Sequence, residues 1–217
     1  MTITHHLDDA TIVGLASGSL PSAFAVVASA HAEMCPHCRK RLRAAQAVGG
    51  AFLDAVDPVP LSDAATHNLL ERIGASAPQP EPALPPSTET GLPSPIAAAL
   101  GAPLDAVRWR RVGPGVRIHE VDMGADDDSR LVLMHIGAGR AVPEHGHGGN
   151  EITLILTGAY RDEIGLFGPG DVADLDEDAE HQPIADPEVG CICLIASVER
   201  AKFKSLLARI VQPFTGL

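Results

Sequence analysis

The sequence predicts an α+β protein with two domains, a small helical bundle followed by an all-β barrel of the jelly-roll type. Apolar residues recur at helical spacing over residues 1–76, whereas β-rich segments alternate with glycine-containing turns over residues 96–217. A proline-rich stretch, residues 77–95, separates the two patterns. At 217 residues the chain has the length of two small domains, so we place the domain boundaries at these changes of pattern.

Four segments of the first domain have the periodicity of helices. Residues suited to cap or begin a helix precede them: Asp8 or Asp9, Pro21, Pro36, and Ser62 or Asp63. Gly18 stops the first segment, and the apolar residues of the third, within residues 42–56, fall on one stripe. Helices this short enclose only a small core, near the size at which a bound metal ion adds useful stability.

The stretch between the domains carries seven of the eighteen prolines. Proline lacks the backbone N–H and restricts the residue before it, so residues 77–95 are expected to form an extended linker. The net charge also differs on the two sides of this boundary: it is −2 over residues 1–76 and −10 over residues 77–217.

The second domain contains five candidate strands. They cover residues 107–112, 116–121, 131–136, 152–157 and 191–196. The segments between them contain Gly-Pro-Gly, Gly-Ala-Gly and Gly-Pro-Gly-Asp sequences, which are typical of turns. This pattern predicts a small β-barrel or jelly roll, to which residues 202–210 add a helix or a last edge element.

Composition narrows the function classes. The net charge of −12 repels the phosphate backbone, so direct nucleic-acid binding is not expected. The sequence has no apolar run of about 18 residues, which a membrane span requires, and it does not open with the basic and apolar regions of a secretory signal. We therefore expect a cytoplasmic protein, in which four cysteines indicate metal or redox chemistry rather than disulfides.

The first domain contains a motif with metal-ligand spacing. His31, Cys35 and Cys38 form His-x3-Cys-x2-Cys, in which the first two residues share a helix face and the third begins the next helix. A fourth ligand would close a tetrahedral Cys2His2 zinc site, with His6 as the first candidate and His5 as the alternative. Such a site would tie the N-terminal segment to the helices, so metal binding would be coupled to folding.

The second domain contains another candidate metal site. His145 and His147 share one face of an extended segment, and Glu151 follows at the start of the next strand with the same parity. His181 lies about one hairpin further along the chain. Three imidazoles and one carboxylate can hold zinc, iron, manganese, nickel or copper, and the spacing does not choose among these metals.

The predicted barrel also contains a pair of cysteines. Cys191 and Cys193 point to the same side of one strand. They can serve as small hydrophobic residues of the core or as redox-sensitive thiols near the second metal, and both interpretations remain open.

The motifs resemble a known family. The glycine-framed His-x-His-x3-Glu run with a later histidine is similar to the first cupin motif. The Gly-Pro-Gly-Asp turn at residues 168–171 matches the second cupin motif in part, since His181 lies further from it than usual and no asparagine follows at the expected place. Together, the helical cysteine motif, the proline-rich linker and the C-terminal cupin resemble the ChrR-type zinc anti-sigma factors. The likeness covers essentially the whole chain.

This resemblance implies a function for each domain. Members of the family bind an extracytoplasmic-function sigma factor through the helical domain and keep it from core RNA polymerase. For this chain we expect one-to-one binding to such a factor. Singlet oxygen or a related oxidant ends the inhibition, and the cupin domain is required for that response. The resemblance also implies zinc at both sites, with these ligands: His6, His31, Cys35 and Cys38 in the first, and His145, His147, Glu151 and His181 in the second.

Two other functions compete with this one. A metal-dependent cupin enzyme, such as a dioxygenase with a helical assembly module, is compatible with three histidines and a glutamate, but no obvious general base accompanies the ligands. A zinc-responsive regulator without redox function is the third hypothesis. We expect a regulator and not an enzyme. Because a flexible linker transmits little force, direct contacts of the barrel with the bundle or the partner are expected to carry the signal.

Overall fold

The structure is a computed structural model that describes residues 2–62, 64–75, 91–124, 128–146, 148–198 and 202–203. The four predicted helices are confirmed: α1 (Asp9–Ser17), α2 (Ser22–Met34), α3 (Pro36–Asp54) and α4 (Ala65–Ala75). A further helix, α5 (Ser94–Leu100), and a 3-10 turn, Leu104–Ala106, lead into the strands. Most of the predicted linker lies outside the described residues, and α5 begins at its end.

Twelve strands are found among the described residues. They are β1 (Arg110–Gly113), β2 (Val116–Val121), β3 (Arg130–Ile136), β4 (His145–Gly146), β5 (Glu151–Gly158), β6 (Tyr160–Arg161), β7 (Leu166–Phe167), β8 (Val172–Leu175), β9 (Glu180–His181), β10 (Ile184–Ala185), β11 (Cys191–Ser197) and β12 (Lys202–Phe203). The five predicted strands are β1, β2, β3, β5 and β11; the first begins late because the 3-10 turn comes before it. The predicted edge element is β12, and residues 204–210 lie outside the described residues.

The strands form one large and two small sheets. The large sheet has the order β1-β2-β3-β11-β5-β8, and the small sheets have the orders β10-β6-β7 and β12-β4-β9. Apolar side chains of the large sheet, such as Ile118 and Ile155, are buried in one cluster with Tyr160 and Phe167 of a small sheet. This packing of sheet on sheet is the predicted jelly roll, and that name is used below for β1 to β12.

Helix α1 begins and ends at the predicted residues. The Asp8 carboxylate accepts a hydrogen bond from the Thr11 N–H at 2.6 Å and caps α1, and Gly18 ends the helix with a φ of 70°. Pro21 precedes α2. No single described helix is long and apolar enough to cross a membrane; α1 and α2 reach that length and composition only when taken together, across a bend of 107°.

Helix α2 covers the outer face of the large sheet. Phe24 and Val27 of this helix are buried in one cluster with Leu133 and Leu194. The sheet is therefore buried on both faces here, which explains why residues 131–134 are continuously buried rather than alternating. The helices share a core with the jelly roll, and this corrects the expectation of a separate small core in the first domain.

Polar contacts also join the helices to the second part of the chain. The Ala23 N–H in the first turn of α2 donates to the Ser129 hydroxyl at 3.1 Å. At the other end of α2, the Glu33 carboxylate accepts hydrogen bonds from the Ser94 N–H at 3.1 and 3.2 Å, and it thereby caps α5. Both ends of α2 are thus bound to groups that lie far along the chain.

The apolar side chains of the second half of α3, of α4 and of the connection between them are exposed. Their exposed fractions lie between 55% and 83%. These residues, named the apolar helical face, are Val48, Phe52, Leu53, Val56, Val59, Leu61, Leu69, Leu70 and Ile73. The predicted stripe within residues 42–56 therefore does not pack into a bundle core over its second half.

Candidate metal centres

The first candidate site lies where the segment before α1 meets the junction of α2 and α3. His31 is in the last turn of α2, and Cys38 is in the first turn of α3. Cys35 lies between the two helices with an extended backbone, and its Sγ accepts the Cys38 N–H at 3.5 Å. His6 approaches from the N-terminal segment, and one ligand atom from each of the four residues lies within 4.8 Å of the others.

The donor atoms of this site suit a metal ion. The Nδ1 of the His31 ring donates to the Gly170 carbonyl at 2.9 Å, and its Nε2 is buried without a hydrogen-bond partner among the described residues. Burial lowers the pKa of His31 to about 4, so the ring is neutral at pH 7. The Nε2 lone pair is therefore available to a metal. Two thiols and two imidazoles form a donor set that can hold a tetrahedral ion.

The surroundings of the site shift the pKa values of His6 and Cys38 in opposite directions. Burial, with the nearby His37 and Arg41, lowers the pKa of His6, which favours the neutral imidazole that a metal requires. Burial raises the pKa of the Cys38 thiol, and the adjacent Cys35 raises it further. Metal binding would therefore release the Cys38 proton.

The two neighbouring histidines occupy different positions. His5, the alternative ligand, turns away from the cysteines: its ring centroid is 4.0 Å from that of Phe167, and its Nδ1 is 3.7 Å from the Asp171 carboxylate. The exposed His37 ring lies 4.5 Å from the His6 ring. Of the predicted pair, the structure thus groups His6 and not His5 with the two thiols.

Three of the four predicted ligands of the second site line one cavity of the jelly roll. His145 in β4 pairs directly with His181 in β9, and their ring centroids are 4.7 Å apart. Glu151, at the start of β5, lines the same cavity, and all three side chains are buried. The fourth predicted ligand, His147, lies outside the described residues.

Hydrogen bonds orient both of these imidazoles. The Nδ1 of His181 donates to the Asp162 carboxylate at 2.9 Å, and the Nδ1 of His145 donates to the Pro143 carbonyl at 2.9 Å. Burial acts to raise the pKa of Asp162, but the bond from His181 and two backbone N–H groups outweigh it, so the pKa lies below its usual range. A carboxylate or carbonyl behind each ring leaves Nε2 as the atom for a metal, as in many metal-binding histidines.

The cavity itself is small, with a volume of about 70 Å³. Its lining is mostly apolar and includes Val132, Met134, Val142, Pro183 and Ile195, together with the Tyr160 side chain. The Tyr160 hydroxyl is buried and has no hydrogen-bond partner among the described residues, and burial raises its pKa. An ion with a few water molecules fits this volume, since a water needs about 10–15 Å³.

The two cysteines of β11 are buried in the inner core of the jelly roll. Cys193 lines the cavity, whereas Cys191 lies two residues before it on the same strand. A hydrogen bond with Cys191 and burial raise the pKa of the Cys193 thiol. A protonated, buried thiol reacts slowly with oxidants, so this environment favours the packing role over the sensor role for Cys193.

Known proteins match both parts of the chain. The ChrR Cupin-like domain matches residues 98–200. The anti-sigma-E factor ChrR of Cereibacter sphaeroides is 40% identical over 214 residues, which are 99% of this chain and 99% of that protein. The chain belongs to the ChrR family of anti-sigma factors. The crystal structure of Rhodobacter sphaeroides SigE in complex with the anti-sigma ChrR matches 90% of this chain and 99% of that one, with 38% identity and a TM-score of 0.76.

Membership of the ChrR family confirms the resemblance found in the sequence, and the cupin match confirms the predicted fold of the second part. Membership of this anti-sigma family favours a regulatory protein over the alternative of a metal-dependent enzyme. The structure adds that the His and Cys residues of the N-terminal motif form a group able to bind a metal.

Sequence reasoning missed the residues that support the ligands. Gly170 and Asp171 were recognised only as part of a turn typical of cupins, although Gly170 orients His31. Asp162, which orients His181, lies in a short loop, where an aspartate is ordinary. No local signal distinguishes these residues, because each acts on a side chain that is distant in sequence.

Proposed function

We propose that this protein inhibits an extracytoplasmic-function sigma factor in the cytoplasm, and that it releases the factor under oxidative stress of the singlet-oxygen type. In this proposal residues 1–76 form the anti-sigma domain, residues 77–95 the linker and residues 96–217 the cupin domain that senses the oxidant. The sigma factor binds one to one to the first domain. The apolar helical face carries the proposal, because it leaves large apolar side chains of α3 and α4 uncovered.

Exposed large apolar side chains grouped on neighbouring segments are typical of a protein interface. Helix α4 has no buried residue among those described, although Leu69, Leu70 and Ile73 lie on it at helical spacing. Amphipathic helices with uncovered apolar faces bind grooves or helices of a partner. Support for a sigma factor as this partner comes from the related ChrR, which was crystallised with SigE.

Zinc is the metal that we propose for both sites. The junction of α2 and α3 offers two thiols and two imidazoles, and zinc favours this tetrahedral donor set. In the jelly roll, we propose that His145, His147, Glu151 and His181 hold a second zinc ion. Zinc has no redox chemistry of its own, so the first ion would stabilise the junction and the second would hold the cavity in one conformation.

Direct packing carries the signal in this proposal. Because α2 lies on the large sheet, a change in the jelly roll reaches α2 without passing through the linker. Helix α2 also carries His31, and α3 begins at the cysteines. The jelly roll can therefore bias the position of α3 and of the apolar helical face that follows from it.

The sigma factor interaction can be tested with paired variants of the full chain. The double variant Phe52→Ala and Leu70→Ala removes two exposed side chains of the apolar helical face, and we expect at least about 30-fold weaker binding to the purified sigma factor. Val189→Ala, at a side chain of the jelly roll that is 71% exposed, is the matched control and should leave the affinity unchanged. Unchanged affinity of the double variant, or no binding by the wild-type protein, would overturn the proposal.

Release can be tested by illuminating the complex with a photosensitiser that generates singlet oxygen. Glu151→Gln should keep dark binding and lose light-dependent release, because it removes the carboxylate of the cupin site. Glu188→Gln changes an exposed carboxylate of the same domain and serves as the control. Metal analysis should count two zinc ions in the wild-type protein and one in Glu151→Gln. Normal release by Glu151→Gln would contradict the sensor role of this site.

A further inference from the structure

The turn between β7 and β8, residues 168–171, lies against the N-terminal segment of the chain. One oxygen of the Asp171 carboxylate accepts the Thr4 N–H at 2.6 Å, the His5 N–H at 2.9 Å and the Thr4 hydroxyl at 3.3 Å. The other oxygen accepts the Gly168 N–H at 2.9 Å. Asp171 is buried, so these hydrogen-bond donors, and not water, stabilise its negative charge. One carboxylate thus holds the segment that places His6.

The same turn contacts His31 through the residue before Asp171. A carbonyl can only accept, so the 2.9 Å contact between His31 and the Gly170 oxygen means that Nδ1 carries the ring proton. The contact is buried and fixes both the tautomer and the direction of the ring. Histidines that bind metals are commonly held in this way by a carbonyl or carboxylate behind the ring.

Close approach at Gly170 depends on the absence of a side chain. Its φ is +88°, and a Cβ there would lie 2.8 Å from the Ile3 side chain and 3.4 Å from the Met34 side chain. The turn therefore touches both the N-terminal segment and the end of α2. These are the two pieces of chain that carry the imidazole ligands.

We propose that the turn of the jelly roll at residues 168–171 is the outer shell of the thiolate metal centre, where the Gly170 carbonyl orients His31 and the Asp171 carboxylate positions the segment bearing His6. The helices supply the two thiolates, whereas the jelly roll controls the two imidazoles. Gly170 and Asp171 are positioning residues, since neither is a ligand of the metal.

This inference rests on the proposed function, in which the four residues bind a metal, and it adds a regulation to that site. Thermodynamic coupling is reciprocal: if the turn strengthens metal binding, then the metal must also stabilise the turn. A rearrangement of the jelly roll that moves residues 168–171 would loosen His6 and His31 together. Loss of the metal would in turn release the turn from the N-terminal segment.

Cobalt release from the full chain tests the positioning role. Cobalt(II) at this site gives a thiolate charge-transfer absorption, which the imidazole and carboxylate site of the jelly roll does not give, so its loss to excess chelator reports this centre alone. We expect at least about tenfold faster release from Asp171→Ala and a change of less than about twofold from Asp186→Ala. Asp186 is the matched control because its carboxylate accepts two backbone N–H groups of its own loop, at 2.9 and 3.0 Å. Equal rates for Asp171→Ala and wild type would overturn the proposal.

A second pair of variants tests Gly170. Gly170→Ala places a side chain between the turn and the N-terminal segment. Gly124→Ala meets the same backbone strain, at a φ of +90°, but no atom of the described residues lies within 4 Å of the added Cβ. We expect faster cobalt release only from Gly170→Ala. Trp109 is the single tryptophan and packs against the core just before β1. Its fluorescence emission therefore shows whether each variant keeps the folded jelly roll.

The reciprocal effect can be measured on the wild-type protein, which avoids any failure of a variant to fold. Binding of cobalt(II) should slow amide hydrogen exchange at least about tenfold in peptides that cover residues 2–8 and 166–172, but not in those that cover 186–190. Unchanged exchange in residues 166–172 would refute the coupling. If the wild-type protein shows no thiolate-cobalt absorption, the proposed metal site itself is wrong, and the two failures are thereby distinguished.

Discussion

Helix α2 and the apolar helical face both carry phenylalanine and valine side chains, but in opposite surroundings. Phe24 and Val27 of α2 are buried on the large sheet, whereas Phe52 and Leu53 of α3 are more than 70% exposed. The same kind of side chain therefore stabilises the fold in one place and remains open to a partner in the other. The difference separates a structural helix, which also carries His31, from the proposed interaction surface. The predictions that follow test this separation.

The largest effect is expected at the candidate metal centre where α2 meets α3. Cys38→Ser removes one thiolate, and we expect the variant to lose one metal ion and at least about 4 kcal/mol of the free energy of unfolding. Cys193→Ser, a buried control in the jelly roll, should keep this ion and lose only about 1–3 kcal/mol. Metal analysis and denaturant unfolding measure both quantities. A Cys38→Ser protein that retains its metal and its stability would contradict the structural role.

A smaller effect is expected from the apolar contact of α2 with the sheet. Phe24→Ala leaves a cavity between α2 and the large sheet and should lower the free energy of unfolding by about 3–5 kcal/mol. Phe52→Ala removes the same side chain where it is 73% exposed and should change it by less than about 0.5 kcal/mol. Equal losses in the two variants would show that the apolar helical face is covered within the protein.

Phe52, whose removal should hardly affect stability, is expected to matter for binding to the sigma factor. Phe52→Ala is expected to weaken the complex by about 2 kcal/mol, because large aromatic side chains often dominate interfaces. Leu166→Ala, an exposed apolar position of the jelly roll, should leave binding unchanged. Titration calorimetry with the purified sigma factor compares the two. Equal weakening by both variants would place the binding surface outside the apolar helical face.

The smallest effect is expected at the surface of the structural helices. Arg41 of α3 donates to the Asp9 carboxylate of α1 at 2.6 Å, but the Asp9 side chain is 97% exposed. Asp9→Asn should therefore cost less than about 1 kcal/mol, and the difference from wild type should shrink in high salt. Denaturant unfolding at two salt concentrations checks this. A larger, salt-independent loss would mean that this ion pair holds α1 in place.

Local patterns were sufficient for many elements of the fold. The cap at Asp8 and the stop at Gly18 depend on groups a few residues away, and the structure confirms both. The His-x3-Cys-x2-Cys spacing brings its members together at the junction of the two helices, where the Cys35 N–H still donates to the His31 carbonyl at 2.7 Å although Cys35 itself lies outside α2. The metal group with His6 could also be predicted, although His5 remained an alternative until the tertiary structure turned its ring toward Phe167.

Contacts between distant parts of the chain escaped prediction. Asp171 holds Thr4 across 167 positions, and Gly170 meets His31 across 139. The second half of α3 was expected in a bundle core because its stripe is apolar, but an apolar stripe does not reveal whether the protein itself covers it. The sheet covers α2 and leaves the apolar helical face exposed.

The sequence alone determined helices α1 to α4, the five predicted strands and the residue types of both candidate metal sites, because hydrogen bonds and side-chain spacing within a few residues control them. Tertiary structure decided which apolar helix is buried, which histidine joins the thiols and which groups stand behind the imidazoles. These outcomes depend on surfaces that meet only when the jelly roll has formed. The free energy of packing between distant segments depends on both segments at once, so no short stretch of sequence predicts it.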